Sequence, residues 1–132
     1  MVRHDMEINR AIEMVSQFMI ACDQEVKGRP SNVEDKVASL RYNLMSEENR
    51  EYFVACLQNN KVEILDALID MAYVLFGTVA AHGMTEEFIK GFTLVHENNM
   101  TKVQDDGKVL KNPDGKILKP MGYTSVNLSA LL

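Results

Sequence analysis

The sequence has no tryptophan and only two cysteines and three prolines among 132 residues. Cys22 and Cys56 each lie in an apolar helical context and do not form the paired spacing of a zinc site, so no disulfide-rich or zinc-stabilised fold is indicated. We expect both to be free, buried thiols. A hydrophobic content of 46% is ample for a core built without cross-links.

Excess positive charge is also absent. The net charge is -5 and no basic stripe stands out, so nucleic acid is not an expected partner. The first residues, MVRHDMEINR, lack the apolar stretch of a secretion signal, and we expect a cytoplasmic protein. The apolar run from Ile64 to Met84 contains Asp66 and Asp70, which favours a buried bundle helix over a membrane span.

What the sequence does contain is helical periodicity. Apolar residues recur at intervals of three and four, predicting an all-α fold: a four-helix bundle with a short C-terminal β-hairpin. We predict one domain over residues 1–132, with a helical core at about 5–97 and a tail at 98–132. The third helix is apolar nearly all round, which indicates partners from another subunit. The first helix is expected from Asp5 to about Val26, and the second begins at a capping box formed by Ser31 and Glu34. The third is expected from Asn60 to Gly83 and the fourth from Thr85 to about Glu97. The bend of the hairpin is expected at residues 112–115.

Six carboxylates stand at helical spacing on the second and third predicted helices, and no Lys or Arg occurs between Val62 and Ile89. Glu51 lies on the face of the second predicted helix where the spacing calls for core residues. A polar residue at a core position is either unfavourable for folding or part of a functional site. Carboxylate oxygens from two helices suit a hard ion, Mg²⁺ or Mn²⁺ in its place. The plainer interpretation is a solvated face with local ion pairs. The predicted metal ligands are Glu48, Glu51, Asp66, Asp70 and Glu63.

The motif Glu48-Asn-Arg-Glu51, followed by Asp70-Met-Ala-Tyr73, resembles the all-α nucleoside triphosphate pyrophosphohydrolases of MazG, dimeric dUTPase and phosphoribosyl-ATP pyrophosphatase type. The similarity spans roughly residues 35 to 120, including the segment VHENNMTKVQDDGKVLKNPDGKILKP. One departure concerns the family's second motif, Glu-x-x-Asp. A register ending at Asp70 would need an acid at Ala67, whereas Glu63 to Asp66 matches literally, and both registers stay open.

The resemblance implies a Mg²⁺-dependent enzyme, a homodimer or homotetramer, that cleaves an NTP or dNTP to the monophosphate and pyrophosphate and so clears nucleotides. A carboxylate not needed as a ligand would orient or deprotonate the attacking water. The alternative is a non-catalytic acidic helical module that supports oligomerisation or binds Ca²⁺. The predicted catalytic residues are Glu48, Glu51, Asp70 and Glu47, and the predicted substrate-binding residues are Lys102, Asn98, Asn99, Arg41, Lys61 and Tyr73.

Overall fold

The structure is a computed structural model that describes residues 6–132. It is all-α, as predicted, and forms two compact units, one extending to Thr85 and the other covering Glu86–Leu132. Asp5, the predicted start of the first helix, lies outside the described residues. The prediction of a single domain over the whole chain stays a prediction. The helices are α1 (Ile8–Ala21), α2 (Asp35–Leu57), α3 (Lys61–Ala81) and α4 (Thr85–Met100), with a 3-10 turn at Ser129–Leu131.

The end of α1 differs from the prediction of about Val26. Asp23 adopts a left-handed conformation with a φ of 59°, and the N–H of Gln24 donates to the carbonyl of Met19 at 2.9 Å. This is a Schellman termination, in which a left-handed residue ends the helix and the free carbonyls are satisfied. Helix periodicity in the sequence continues past this point, so the stop at Asp23 was missed. Cys22, just before it, is exposed, and the expectation of a buried thiol there was wrong.

The predicted helix starts were right for α3 and wrong for α2. The side chain of Asn60 accepts the backbone N–H of Glu63 at 3.1 Å, which is the predicted cap. The Ser31–Glu34 capping box does not form, because the hydroxyl of Ser31 donates to the carbonyl of Arg29 instead. Glu34 itself stands at the N-cap of α2, without a side-chain capping bond.

In the first unit α3 packs against both α1 and α2. The packed side chains are mostly small, which lets the helices approach closely, and Ile12 is the largest fully buried side chain among the described residues. Larger apolar side chains on α3 remain exposed in the single chain, and their predicted enclosure by another subunit stays a prediction. The buried apolar residues are Ala11, Ile12, Val15, Met19, Ala55, Ala67, Val79, Ala80 and Ala81.

Gly77 makes room for a buried guanidinium. Arg41 of α2 is only 6% exposed, and its Nε donates to the Thr78 hydroxyl at 3.0 Å while Nη2 donates to the Val74 carbonyl at 2.8 Å. A Cβ at position 77 would lie 2.5 Å from Nη2 of Arg41 and 3.2 Å from the Met19 sulfur. The glycine inside α3 therefore leaves the space that the Arg41 guanidinium occupies.

Within the described part of the chain, α3 is the one helix long and apolar enough to cross a membrane, by length and composition only. That is weak evidence, because the core helix of a water-soluble protein passes the same test. Asp66 and Asp70 lie within this helix, and charged groups are costly inside a bilayer.

The second unit contains α4 and an irregular tail. The predicted bend is present: the side chain of Asn112 accepts from the backbone of Asp114 and Lys116 at 3.0 and 2.8 Å. The predicted β-hairpin is not seen, because the antiparallel pairing beside each turn amounts to a single bridge, Val103 with Val109 and Lys111 with Ile117. Two tight turns so close in sequence leave too few residues between them to extend either ladder.

We predict that Gly77→Ala lowers the free energy of unfolding by about 1–3 kcal/mol, because overpacking against a hydrogen-bonded guanidinium outweighs the gain in helix propensity. Chemical denaturation measures the change. Gly91→Ala is the matched control, since a Cβ there meets Leu128 and Leu131 at an ordinary 3.6 Å. A stabilising effect of Gly77→Ala would contradict the tight fit.

Candidate metal centre

Three carboxylates of the first unit converge at the α2–α3 interface. Glu48 and Glu51 lie one turn apart on α2, and Asp70 lies on α3. One oxygen from each lies within 4.8 Å of the others. Helices that pack at about 8–10 Å bring side chains of this length together, as the spacing predicts. The cluster therefore consists of three residues that the sequence analysis selected.

Among the described residues, the cluster has no cationic partner. The ion pairs among the described residues, such as Lys27 with Glu25 at 2.6 Å, involve none of its three carboxylates. In the described part of the chain, Oε2 of Glu48 is the one buried side-chain oxygen or nitrogen that has no hydrogen-bond partner. A buried acceptor without a donor is costly, which points to a ligand that completes it.

The electrostatics agree with this view. Loss of solvation, followed by the nearby charges of Glu51, Asp70 and Asp66, raises the pKa of Glu48 to about 7. The pKa of Asp70 is also raised, by loss of solvation and by the charges of Asp66 and Glu51. The cluster therefore resists full ionisation unless a cation neutralises it. Three oxygen ligands with no nitrogen or sulfur suit a hard divalent ion, so the residues present fit Mg²⁺ or Mn²⁺.

The other predicted acids lie near the cluster but outside it. Asp66 and Glu63 line a cavity of about 290 Å³ together with Glu51. Glu63 belongs to the capped first turn of α3, and Glu47 is exposed on α2. The structure thus brings Asp70 into the convergent set, with Asp66 one turn away. The ligand roles of Asp66 and Glu63, and the catalytic role of Glu47, stay predictions.

Arg50 lines the same cavity as Glu51, Glu63 and Asp66, and the sequence analysis did not select it. Its position on α2, directly before Glu51 of the acidic motif, was the feature of the sequence from which it could have been selected. A cation at that cavity is suited to a phosphate, since guanidinium groups bind phosphate oxygens through paired hydrogen bonds.

Three predicted substrate-binding residues belong to the first unit and lie at separate places. Arg41 is buried against α3 beside Gly77, away from the carboxylate cavity. Lys61 is exposed at the start of α3. Tyr73 is partly exposed, and its ring meets the edge of Phe18 with the centroids 6.0 Å apart. Their binding roles stay predictions.

The other three predicted substrate-binding residues belong to the second unit, where Asn98 and Lys102 contact Tyr123 and Asn99 contacts Lys102. The amide of Asn98 donates to the Tyr123 hydroxyl at 2.7 Å, and Nζ of Lys102 donates to the Asn99 side chain at 3.2 Å. The ammonium groups of Lys102 and Lys119 lie 5.2 and 5.5 Å from the centroid of the Tyr123 ring. The sequence analysis missed Tyr123 and Lys119, because the tail has no periodicity that places a side chain.

We predict that the metal-free protein loses stability as the pH rises from about 4.5 to 7, through Glu48. Its folded pKa exceeds the unfolded value of about 4.3, so the native state binds more protons in this range and ionisation favours unfolding. The loss is complete once the pH has risen through the folded pKa of about 7. Thermal unfolding in EDTA at pH 5.5 and 8 measures it.

Glu48→Gln should show a smaller fall in Tm between those pH values than the unmodified chain, because its side chain does not titrate. Glu13→Gln, an exposed acid on α1, is the control and should keep the original pH dependence. Equal pH dependence in the Glu48 variant would contradict the assignment.

A family model described as Phosphoribosyl-ATP pyrophosphohydrolase matches residues 15–99. The matched range contains α2, α3 and all three carboxylates of the cluster. It confirms the resemblance to the all-α nucleoside triphosphate pyrophosphohydrolases that the acidic motifs suggested. No curated protein matches the chain significantly.

Proposed function

We propose, since the chain belongs to the phosphoribosyl-ATP pyrophosphohydrolase family, that it is a Mg²⁺-dependent enzyme that hydrolyses the bond between the α and β phosphates of a nucleoside triphosphate. The products are the monophosphate and pyrophosphate. The observation that carries the proposal is the convergence of Glu48, Glu51 and Asp70 without a cationic partner among the described residues. An inert acidic surface would not hold a buried carboxylate oxygen against two like charges.

Glu48, Glu51 and Asp70 would hold the metal, with Asp66 and Glu63 as further predicted ligands. When bound, Mg²⁺ supplies charge neutralisation and polarisation of the phosphoryl oxygens. A carboxylate left free, with Glu47 as the prediction, takes the proton from the attacking water. The water oxygen forms a bond to one of the two phosphorus atoms of the α–β anhydride, and the bond from that phosphorus to the bridging oxygen breaks. The electron pair of the broken bond stays on the bridging oxygen, and the monophosphate and pyrophosphate separate.

The substrate class follows from two lines of support. The description of the family indicates phosphoribosyl-ATP, a substrate that would give the chain a role in histidine biosynthesis. The acidic motifs and the tail resemble MazG-like members, which supports an NTP or dNTP and a role in clearing nucleotides. All of these share a 5′-triphosphate, so the proposed chemistry at the metal centre is the same.

Exposed apolar side chains support a homodimer or homotetramer. Leu65 and Ile69 on α3 are 60% and 55% exposed, and Phe53 and Leu57 of α2 are 60% and 68% exposed. Large apolar side chains grouped on two packed helices mark a protein interface. The assembly would be cytoplasmic and would bind neither nucleic acid nor a membrane.

We predict pyrophosphate release from a panel of phosphoribosyl-ATP, NTPs and dNTPs that depends on added Mg²⁺ or Mn²⁺. Glu51→Gln and Asp70→Asn should each lower kcat/KM by about 10²–10⁴-fold, because each removes a carboxylate of the cluster. A coupled assay for pyrophosphate measures the rate, and chromatography identifies the monophosphate.

Glu13→Gln is the matched control and should leave the rate unchanged. Binding of Mg²⁺ or Ca²⁺ by an intact assembly, without turnover of any nucleotide in the panel, would favour the non-catalytic module. Release of single phosphate in place of pyrophosphate would contradict α–β cleavage.

We predict that Leu65→Lys shifts the protein to a smaller assembly in light scattering coupled to size exclusion, because a charge would be buried in the interface. Lys36→Leu, a substitution of an exposed residue at the start of α2, is the control and should leave the mass of the assembly unchanged. An unchanged mass for the Leu65 variant would exclude this face from the interface.

A further inference from the structure

A second cavity lies in the first unit, away from the acidic cluster. It measures about 330 Å³, and the end of α1, the segment after it, the start of α2 and the end of α3 surround it. None of its lining residues lines the 290 Å³ cavity beside Glu51. Its lining includes Arg41 and the apolar side chains of Val33, Val37 and Leu40.

Arg41 is the buried charge in this lining. It is 6% exposed, and none of the ion pairs among the described residues includes it. Of the three acids in the lining, Glu25 and Glu34 pair with Lys27 and Lys36, at 2.6 and 3.8 Å. The third, Asp23, is exposed to solvent and forms no ion pair with Arg41. A buried cation without a carboxylate is costly, because neutral hydrogen-bond partners do not replace the hydration of a full charge.

The guanidinium is also held in place. Nε and Nη2 are fixed on Thr78 and the Val74 carbonyl, and Gly77 keeps α3 free of a Cβ that would displace them. Nη1 makes no hydrogen bond to a described residue. It is not sealed from solvent either, because Glu48 Oε2 is the one buried, unpartnered side-chain atom in the described part. A preorganised donor therefore remains open in a residue that lines the cavity.

We propose that this cavity binds a small organic oxyanion, a carboxylate or a phosphate monoester, through Arg41. The anion supplies the counter-charge that the protein omits, and Val33, Val37 and Leu40 supply an apolar wall for the carbon skeleton. The volume suits a molecule of metabolite size. The site is independent of the proposed hydrolysis, because it needs neither the metal nor the carboxylates of the cluster.

The test uses the whole chain, freed of metal on a chelating resin so that no soluble carboxylate competes with the probes. The probe is inorganic phosphate in one titration and acetate in another, at constant ionic strength. The Arg Nε–Hε resonance of Arg41, assigned by triple-resonance NMR on the unmodified chain, should shift with saturation. A larger response to phosphate identifies a phosphate ligand, and a larger response to acetate identifies a carboxylate ligand.

Variants make the result specific. Arg41→Met should weaken binding by about tenfold or more, the loss of one charge-assisted contact, as read from the Val37 and Leu40 amides. Arg10→Met, an exposed arginine on α1, is the matched control and should bind as the unmodified chain does. If Arg41→Met does not fold, the titration of the unmodified chain still tests whether an oxyanion binds at Arg41.

A linear shift, or an equal shift at Arg10, would overturn the proposal, because it would show only general screening by salt. Failure here would leave pyrophosphate release intact, since that assay reads the metal centre. Failure of the activity assay with a saturating shift at Arg41 would leave the oxyanion site standing.

Discussion

Repulsion between like charges is the constraint on which the α2–α3 pair depends. Glu48 and Glu51 lie on successive turns of α2, and Asp70 lies on α3. Their oxygens are close enough to share one ion. Nothing in the described chain neutralises them, and burial raises the pKa of Glu48 to about 7. The packing of the helices must therefore sustain an unfavourable interaction, as functional sites commonly do. A bound cation turns that repulsion into attraction, which couples metal binding to the stability of the interface.

The same pair of helices carries the opposite arrangement two turns away. Arg41 precedes Glu48 by seven residues on α2, on the same face, and its guanidinium lies against α3 between Val74 and Thr78. Counting only partners from the described residues, the α2–α3 interface thus holds a buried cation that no acid pairs with and a group of acids that no cation pairs with. The guanidinium and the carboxylates do not neutralise each other, because Gly77 and Thr78 hold the guanidinium at its own position along the α2–α3 interface. Each end is consequently suited to an external ion of opposite sign.

The core of the first unit explains why a partner is expected. Its buried side chains are mainly alanines, while Leu65 and Ile69 on α3 remain exposed. Small residues let the helices approach closely and bring the carboxylates together, but they bury little apolar area. The larger apolar side chains on the outer faces are available for a subunit interface. Assembly would then supply stability that the small core does not.

Periodicity and spacing in the sequence were sufficient for the helix types, the Asn60 cap, the Gly83 stop and the selection of the acidic residues. These depend on local rules, in which 3.6 residues per turn and capping chemistry decide the outcome. The early stop at Asp23 and the failure of the Ser31 cap depend on backbone conformations that no local pattern specifies. The β-hairpin was missed because the ladder beside each turn is too short.

Tertiary structure alone decided which carboxylates converge. Glu48, Glu51, Asp66 and Asp70 have equivalent helical spacing, yet the rotation of α2 against α3 brings three of them together and leaves Asp66 one turn aside. It likewise decided that Arg41 is buried without an acid, since that depends on a glycine 36 positions away in the sequence. Residue types and their order determine which chemistry is available, whereas only the packing of distant segments sets distance, solvation and therefore charge.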